Sequence, residues 1–380
     1  MAGPDMTDPG TSGPETTETP LTRELRRRIR ADGPISVADF MAAALADPAH
    51  GYYTTRDPFG ATGDFTTAPE ISQMFGEVVG VWISGFLRAT GEGAILAELG
   101  PGRGTLMADA RRAVPALGAL PLWLVETSDV LRAAQASRLP EATWAASLDE
   151  LPEVPTLMVA NEFLDALPMR QYLATDGDWR EVQVGVDAEG ALRFGLSGPL
   201  PAFRGVAGPP IDGAWCEISA AADATIDETA RRIGSHGGAA LFIDYGYDIS
   251  DRPAGPTLQA LKGHDRADPL AAPGQADVTW LPDFDALATR AAAAPGVESY
   301  VTWQGSFLTE MGIGQRAAGL AAAAPGEADA IADALERLVM ADAMGAQFKA
   351  MAILPSDCPQ PPGFARSACP ERPGSAGQDD

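Results

Sequence analysis

The sequence predicts an α/β fold, a parallel sheet wrapped by helices, with a helical cap ahead of the sheet and a small α+β insertion within it. Three observations predict this. Short β-type apolar runs alternate with Ala-rich helical stretches, as strands joined by crossover helices do. The runs are near-continuous rather than alternating, which is how strands buried on both faces read. Their spacing then widens between Asn161 and Ala239, where an insertion must sit.

In chain order, residues 1–19 are rich in Gly, Pro, Thr and acids without apolar periodicity and read as a disordered tail. Residues 20–90 form the cap. Leu21, Leu25 and Ile29 recur every four residues, so the arginines between Arg23 and Arg30 form the wet face of an amphipathic helix. A Gly33-Pro34 turn, a second helix, an irregular segment and a third helix from Pro69 to Leu87 follow. The main domain spans 91–354, with strands at Ala94–Glu98, Leu122–Glu126, Thr156–Ala160 and Ala240–Asp244, each ending in or followed by an acidic or amide residue. Tyr300–Gln304 and Lys349–Leu354 supply the last two strands. Within the insertion, 167–238, Met169–Ala174, Trp179–Val186 and Ala191–Leu196 alternate apolar and polar residues around Asp176-Gly177-Asp178 and Glu189-Gly190, the pattern of antiparallel hairpins. Residues 355–380 read as a second disordered tail.

Composition excludes several classes of function. The 380 residues carry 27 Lys+Arg against 52 Asp+Glu, a formal charge of −25, and are 46% hydrophobic. That excess of acid argues against nucleic acid, whose phosphates require clustered cations. The apolar run Val78–Leu87 is far shorter than the roughly 18 residues that span a bilayer, so no membrane insertion is expected. Cys216, Cys358 and Cys369 form no C-x-x-C pair, and His50, His236 and His264 lack ligand spacing, so no zinc site or His-rich metal centre is expected, and a carboxylate-only site stays open. Residues 1–20 contain four acids and no Arg, unlike a transit segment, which points to the cytoplasm of a prokaryote.

The chemistry concentrates at strand ends. Glu98-Leu99-Gly100-Pro101-Gly102-Arg103-Gly104-Thr105 is a strand, a glycine turn and a helix start, where bare backbone lets a ligand lie across the strand's carboxyl end. Thr105 breaks the G-x-G-x-x-G spacing of a dinucleotide site, which disfavours a nicotinamide-dependent oxidoreductase. Glu98 suits a cationic or hydroxyl-bearing ligand, and Glu126, at the next strand end, suits the two hydroxyls of a ribose. Asn161-Glu162-Phe163-Leu164-Asp165 then brings an amide and two carboxylates to a third strand end, the usual place for chemistry in an open α/β sheet. Asp165 reads equally as a helix N-cap. Thr67, Pro69 and Glu70 read as the cap and first turn of the third helix.

These residues resemble the MidA-like family of S-adenosylmethionine-dependent methyltransferases, which contains the mitochondrial complex I assembly factor that methylates arginine. The resemblance lies in Gly63–Gln73, Glu98–Leu106 and Asn161–Pro168, and continues through His50–Tyr53, Phe242–Gly246, Thr257–Ala260, Gly274–Thr279, Gln304–Leu308 and Gly345–Lys349. It implies a class I methyltransferase, Rossmann-like, with a seven-stranded mostly parallel sheet and an antiparallel last strand. S-adenosyl-L-methionine would lie over Gly100, Pro101, Gly102 and Gly104, with Glu98 at its amino end, Glu126 at its ribose and Ser147-Leu148-Asp149 near its adenine. Asp64 belongs to a lid loop over the cofactor, with Tyr52 and Tyr53 nearby as core or substrate contacts, and His264 at the substrate entrance or in a solvated loop. If the acceptor is arginine, Glu162 and Asp165 form a carboxylate clamp oriented by Asn161. The implied partner is a protein, a complex I subunit, and the insertion serves as a homodimer interface or a client platform. A non-catalytic assembly chaperone that keeps the fold is the competing reading.

Overall fold

The computed structural model describes residues 18–55, 67–201, 203, 205, 209–263 and 265–364. The apolar runs form one seven-stranded sheet. Its strands are β1 (Ile95–Leu99), β2 (Leu122–Val125), β3 (Thr143–Ala145), β4 (Thr156–Asn161), β5 (Gly238–Tyr245), β6 (Val297–Trp303) and β7 (Phe348–Pro355). The order across the sheet is β6-β7-β5-β4-β1-β2-β3. β7 runs antiparallel to both of its neighbours, and the other pairs are parallel. Chain order reverses between β1 and β4, which opens a crevice at the carboxyl ends of those strands.

Burial on both faces explains the continuous apolar runs. Ile95, Ala97, Met158, Ala160 and Phe242 belong to the core on one face, whereas Leu96, Leu157, Val159, Leu241 and Ile243 belong to the core on the other. β3 lacks that signal, because its three residues start on an exposed Thr143 and only Ala145 is buried. It went unread in the sequence for this reason.

The cap follows its periodicity. Pro20–Asp32 is a helix that buries Leu21, Leu25 and Ile29, and Thr19 caps it by accepting the Thr22 N–H. Gly33, at φ 94°, ends the helix. Ser36 then caps the helix Val37–Ala46, and Ile35–Ser36 pairs with Val184 and Gln183 of the insertion, a tie no local pattern announces. The third helix differs from expectation. It is broken into Ala68–Ile71, Gln73–Ser84 and Leu87–Thr90, the first break falling at Ser72, which is extended (φ −160°) and whose hydroxyl accepts the Met74 N–H. Pro69 and Glu70 do occupy a first turn, but the Thr67 side chain makes no cap bond.

Within the insertion, Arg170–Thr175, Asp178–Val186, Leu192–Leu196 and Trp215–Ile218 pair antiparallel. The hairpin turn at Asp176 and Gly177 has φ of 55° and 76°, the left-handed pair that a two-residue turn of this twist requires. The helix Ala220–His236 then returns to the main sheet, packing Ile226, Ala230 and Ile233 into the same core as Met158 and Phe242. A further sheet of Gln259–Lys262, Asp265–Ala267 and Asp277–Thr279 lies between β5 and β6 in the chain. Its short strands among polar turns left no readable pattern. Among the described residues, no helix is long and apolar enough to cross a membrane.

Candidate functional site

At the carboxyl ends of β1, β2 and β4 the structure opens a cavity of about 350 Å³ lined by Glu98, Gly100, Pro101, Gly102, Glu126, Asn161, Glu162 and Asp165. The glycine turn after β1 is left-handed at Gly100 (φ 58°), Gly102 (φ 53°) and Gly104 (φ 76°). A Cβ on Gly100 would lie 2.8 Å from the Phe163 ring. Only bare backbone fits there. Gly104 caps the helix Thr105–Ala113 without a side-chain bond, so the turn presents backbone at a helix N-terminus.

Glu98 ends inside the protein, 2% exposed, and among the described residues its Oε2 has no hydrogen-bond partner. Burial pushes its carboxyl up to about 8. Glu126 is held differently. Its Oε1 accepts the N–H groups of Thr127 and Ser128, both at 2.8 Å, and its Oε2 accepts from Gln135 at 3.2 Å. Gln135 also donates to the Gly102 carbonyl at 2.7 Å, which ties the glycine turn to the Glu126 carboxylate. Burial raises the Glu126 carboxyl, partly offset by these donors.

The third strand end is strained. Glu162 has φ 50°, rare for a side chain with a Cβ and stored where surrounding contacts enforce it. Its N–H donates to Ile243 at 2.9 Å, while its Oε1 accepts the Ala68 N–H and the Asn161 amide, both at 3.1 Å. Glu162 therefore supplies the helix cap that Thr67 does not. Burial lifts its carboxyl to about 8, with the charges of Asp244 and Asp277 adding to the shift. Asn161 Oδ1 is buried without a partner among the described residues. Asp165 is 5% exposed, and burial first, then the charges of Asp244, Asp277 and Glu162, hold its carboxyl well above the usual range. No helix follows it, so the helix-cap alternative for Asp165 fails.

Asp244 and Asp277 were not singled out as functional by the sequence reading. Asp244, at the end of β5, accepts the N–H groups of Phe163, Leu164 and Asp165 on Oδ2 at 2.9, 2.7 and 3.3 Å, which fixes the loop carrying Glu162 and Asp165. Its signal was the acidic strand end. Asp277 lines the cavity from a strand that sequence patterning missed. Tyr52 is fully buried, whereas Tyr53 lines the cavity, so the two tyrosines divide between core and site. Ser147, Leu148 and Asp149 do not line it. Asp64, the rest of the lid loop 63–66 and His264 lie outside the described residues. Among the described residues, no group of His, Cys, Asp or Glu is placed to hold a metal ion.

Residues 78–302 match the family model of S-adenosyl-L-methionine-dependent methyltransferases. The chain is 35% identical to the mitochondrial protein arginine methyltransferase NDUFAF7 of Mus musculus, over 94% of this chain and 90% of that one. It is 33% identical to the NDUFAF7 of Homo sapiens, over 96% and 90%. A solved structure of a COG1565 superfamily member from Burkholderia thailandensis, bound to S-adenosyl-homocysteine, superposes with a TM-score of 0.80 at 30% identity, covering 91% of this chain and 94% of that one. The relatives are named mitochondrial, which overturns the expectation of a cytoplasmic location and favours a mitochondrial one. That expectation rested on the composition of a terminal stretch, which says nothing about compartment once the rest of the chain matches mitochondrial proteins.

Proposed function

The chain belongs to the MidA-like family of S-adenosyl-L-methionine-dependent methyltransferases, and from that premise we propose that it methylates an arginine side chain of a protein, a subunit of respiratory complex I. The observation that supports this reading is one cavity lined by a glycine turn, by Glu98, whose Oε2 has no hydrogen-bond partner among the described residues, and by the carboxylates Glu162 and Asp165. The arginine acceptor follows the relatives' names, and the complex I subunit follows the resemblance of the long motifs.

The cavity fits the cofactor. Gly100, Pro101 and Gly102 line the cavity floor, Gly104, which does not line it, closes the turn by donating to the Pro101 carbonyl, Glu98 Oε2 offers an acceptor to the cofactor's amino group, and Glu126 offers one to its ribose hydroxyls. When bound, it supplies an electrophilic methyl group. The chain's own work is to align a nitrogen with that carbon in a closed space. A guanidinium arrives charged, so it must meet acceptors that can carry the opposite charge. Glu162, whose carboxyl burial lifts to about 8, ionises more readily as the cation approaches. Its Oε1 is occupied by Ala68 and Asn161, so Oε2 is the atom that would orient the nitrogen and hold the proton released as the methyl group transfers. Asp165 completes the clamp, and Asn161 orients Glu162. The hairpin layer of residues 170–218, with exposed Leu196 and Ile211, is the surface for a protein client or a second copy of the chain. We divide the chain accordingly into a cap at 20–90 and a methyltransferase domain at 91–354 with its insertion at 167–238.

Calorimetric titration with S-adenosylhomocysteine, with NAD as control, and methyl-labelling of isolated complex I subunits test the reading together. Wild type and Glu162→Gln should bind S-adenosylhomocysteine alike, and Gly102→Val should bind none. Methylarginine should form with wild type and fall roughly a hundredfold or more with Glu162→Gln. Equal labelling by Glu162→Gln would remove Glu162 from the chemistry, and binding without any methylarginine would favour the chaperone.

A further inference from the structure

Asp277 reaches the cavity from an element that supplies no other part of the clamp. It sits on Asp277–Thr279, paired through Leu261 to the neighbouring strand, and is 5% exposed. The Tyr53 hydroxyl donates to its Oδ1 at 2.9 Å. Tyr53 is itself tied to the ribose side of the cavity, because its carbonyl accepts the Ser128 hydroxyl at 2.8 Å, beside the Glu126 carboxylate. Just beyond Asp277, Trp280 donates its backbone N–H to the Asp165 carbonyl at 3.2 Å and its indole N–H to the Leu167 carbonyl at 3.0 Å. Asp277 and the loop of Asp165 are therefore locked in one register.

Glu162, Asp165 and Asp277 line one enclosed space, where the Asp277 charge raises the proton affinity of Glu162 and of Asp165, an environment that favours an approaching cation. A second observation points to a donor-rich ligand: Asn161 Oδ1, buried and lining the same cavity, has no partner among the described residues. An ammonium offers three donors from one atom. A guanidinium offers five N–H groups spread around a plane, which can meet acceptors arriving from different elements at once.

We propose that Asp277, oriented by the Tyr53 hydroxyl, is a specificity-determining residue of the acceptor subsite, holding one edge of a guanidinium whose other edge Glu162 takes. This rests on the arginine reading above. Tyr53 is a positioning residue that keeps the Asp277 carboxylate turned to the acceptor, and the Trp280 bonds keep it at a constant distance from Asp165.

The test titrates protein saturated with S-adenosylhomocysteine with three small probes: N-acetyl-arginine methylamide, its lysine counterpart and its uncharged citrulline counterpart. Wild type should bind the arginine probe roughly tenfold more tightly than either control, the size expected of a lost charged hydrogen bond. Asp277→Asn should erase most of that preference while leaving citrulline binding and S-adenosylhomocysteine affinity within about twofold. Tyr53→Phe should weaken the arginine probe alone, by about threefold. An arginine preference in Asp277→Asn equal to wild type overturns the assignment and leaves the arginine reading intact. If Asp277→Asn does not fold, an unchanged preference in Tyr53→Phe overturns it instead. A wild type that does not distinguish arginine from citrulline overturns the arginine reading itself, and this inference with it.

Discussion

Glu98 shows how a buried carboxyl can cost stability. Its carboxyl stands near 8 in the fold against an ordinary 4.5, because burial alone acts on it. Between those two values the unfolded chain has lost the proton and the folded chain keeps it, so the folded state binds more protons. Stability therefore falls as pH rises through that window and levels off above it. Replacing the group should relieve this cost. Glu98→Gln is expected to raise the thermal midpoint of the ligand-free protein by a few degrees at pH 8, with the gain shrinking toward pH 5, and to lose the stabilisation that S-adenosylhomocysteine confers. Thermal melts at the two pH values check it; no gain at pH 8 would show that water reaches Glu98. Its place at a strand end ahead of a glycine turn was legible in sequence. Its missing partner was not, because hydrogen-bond satisfaction depends on groups distant in the chain.

At the scale of elements, the loop after β4 is held by β5. Asp244 Oδ2 accepts three successive backbone N–H groups, and the loop has no helix or strand to satisfy them otherwise. Asp244→Ala strands those donors in a buried place, where each unpaired group costs about 1–3 kcal/mol. The expected destabilisation is at least about 3 kcal/mol by urea denaturation, with faster hydrogen exchange at Phe163, Leu164 and Asp165. A loss below about 1 kcal/mol would mean that water replaces the carboxylate. At the same scale, the Thr-x-Pro-Glu pattern reads as a cap, yet the Thr67 side chain makes no cap bond, and the acceptor for the first helical N–H, that of Ala68, is Glu162, distant in the chain.

The whole molecule carries a net charge of −25, which would steer a basic client toward it over distances longer than any contact and would equally serve solubility. Raising salt from about 50 to 300 mM shortens the screening length, so KM for a basic protein acceptor should rise several-fold. The affinity for S-adenosylhomocysteine, whose proposed contacts lie inside the cavity, should change little. A KM indifferent to salt would assign the acidic surface to solubility alone. Cap, main sheet and hairpin layer join through pairings such as Ile35 with Val184.

The order of apolar runs, the glycine turn and the acidic strand ends determined an α/β sheet with its ligand groups at one edge, because these are local patterns set by burial and backbone freedom. The hairpin layer was readable for the same reason, since alternation and turn residues are neighbours in sequence. Tertiary structure alone decided that β3 pairs at the sheet's end, that Glu162 takes a left-handed backbone and that Asp277 and Tyr53 line the cavity. A three-residue strand has too little periodicity to announce itself. A carboxylate's role depends on which distant elements close around it and remove water, and only the packed chain brings those together.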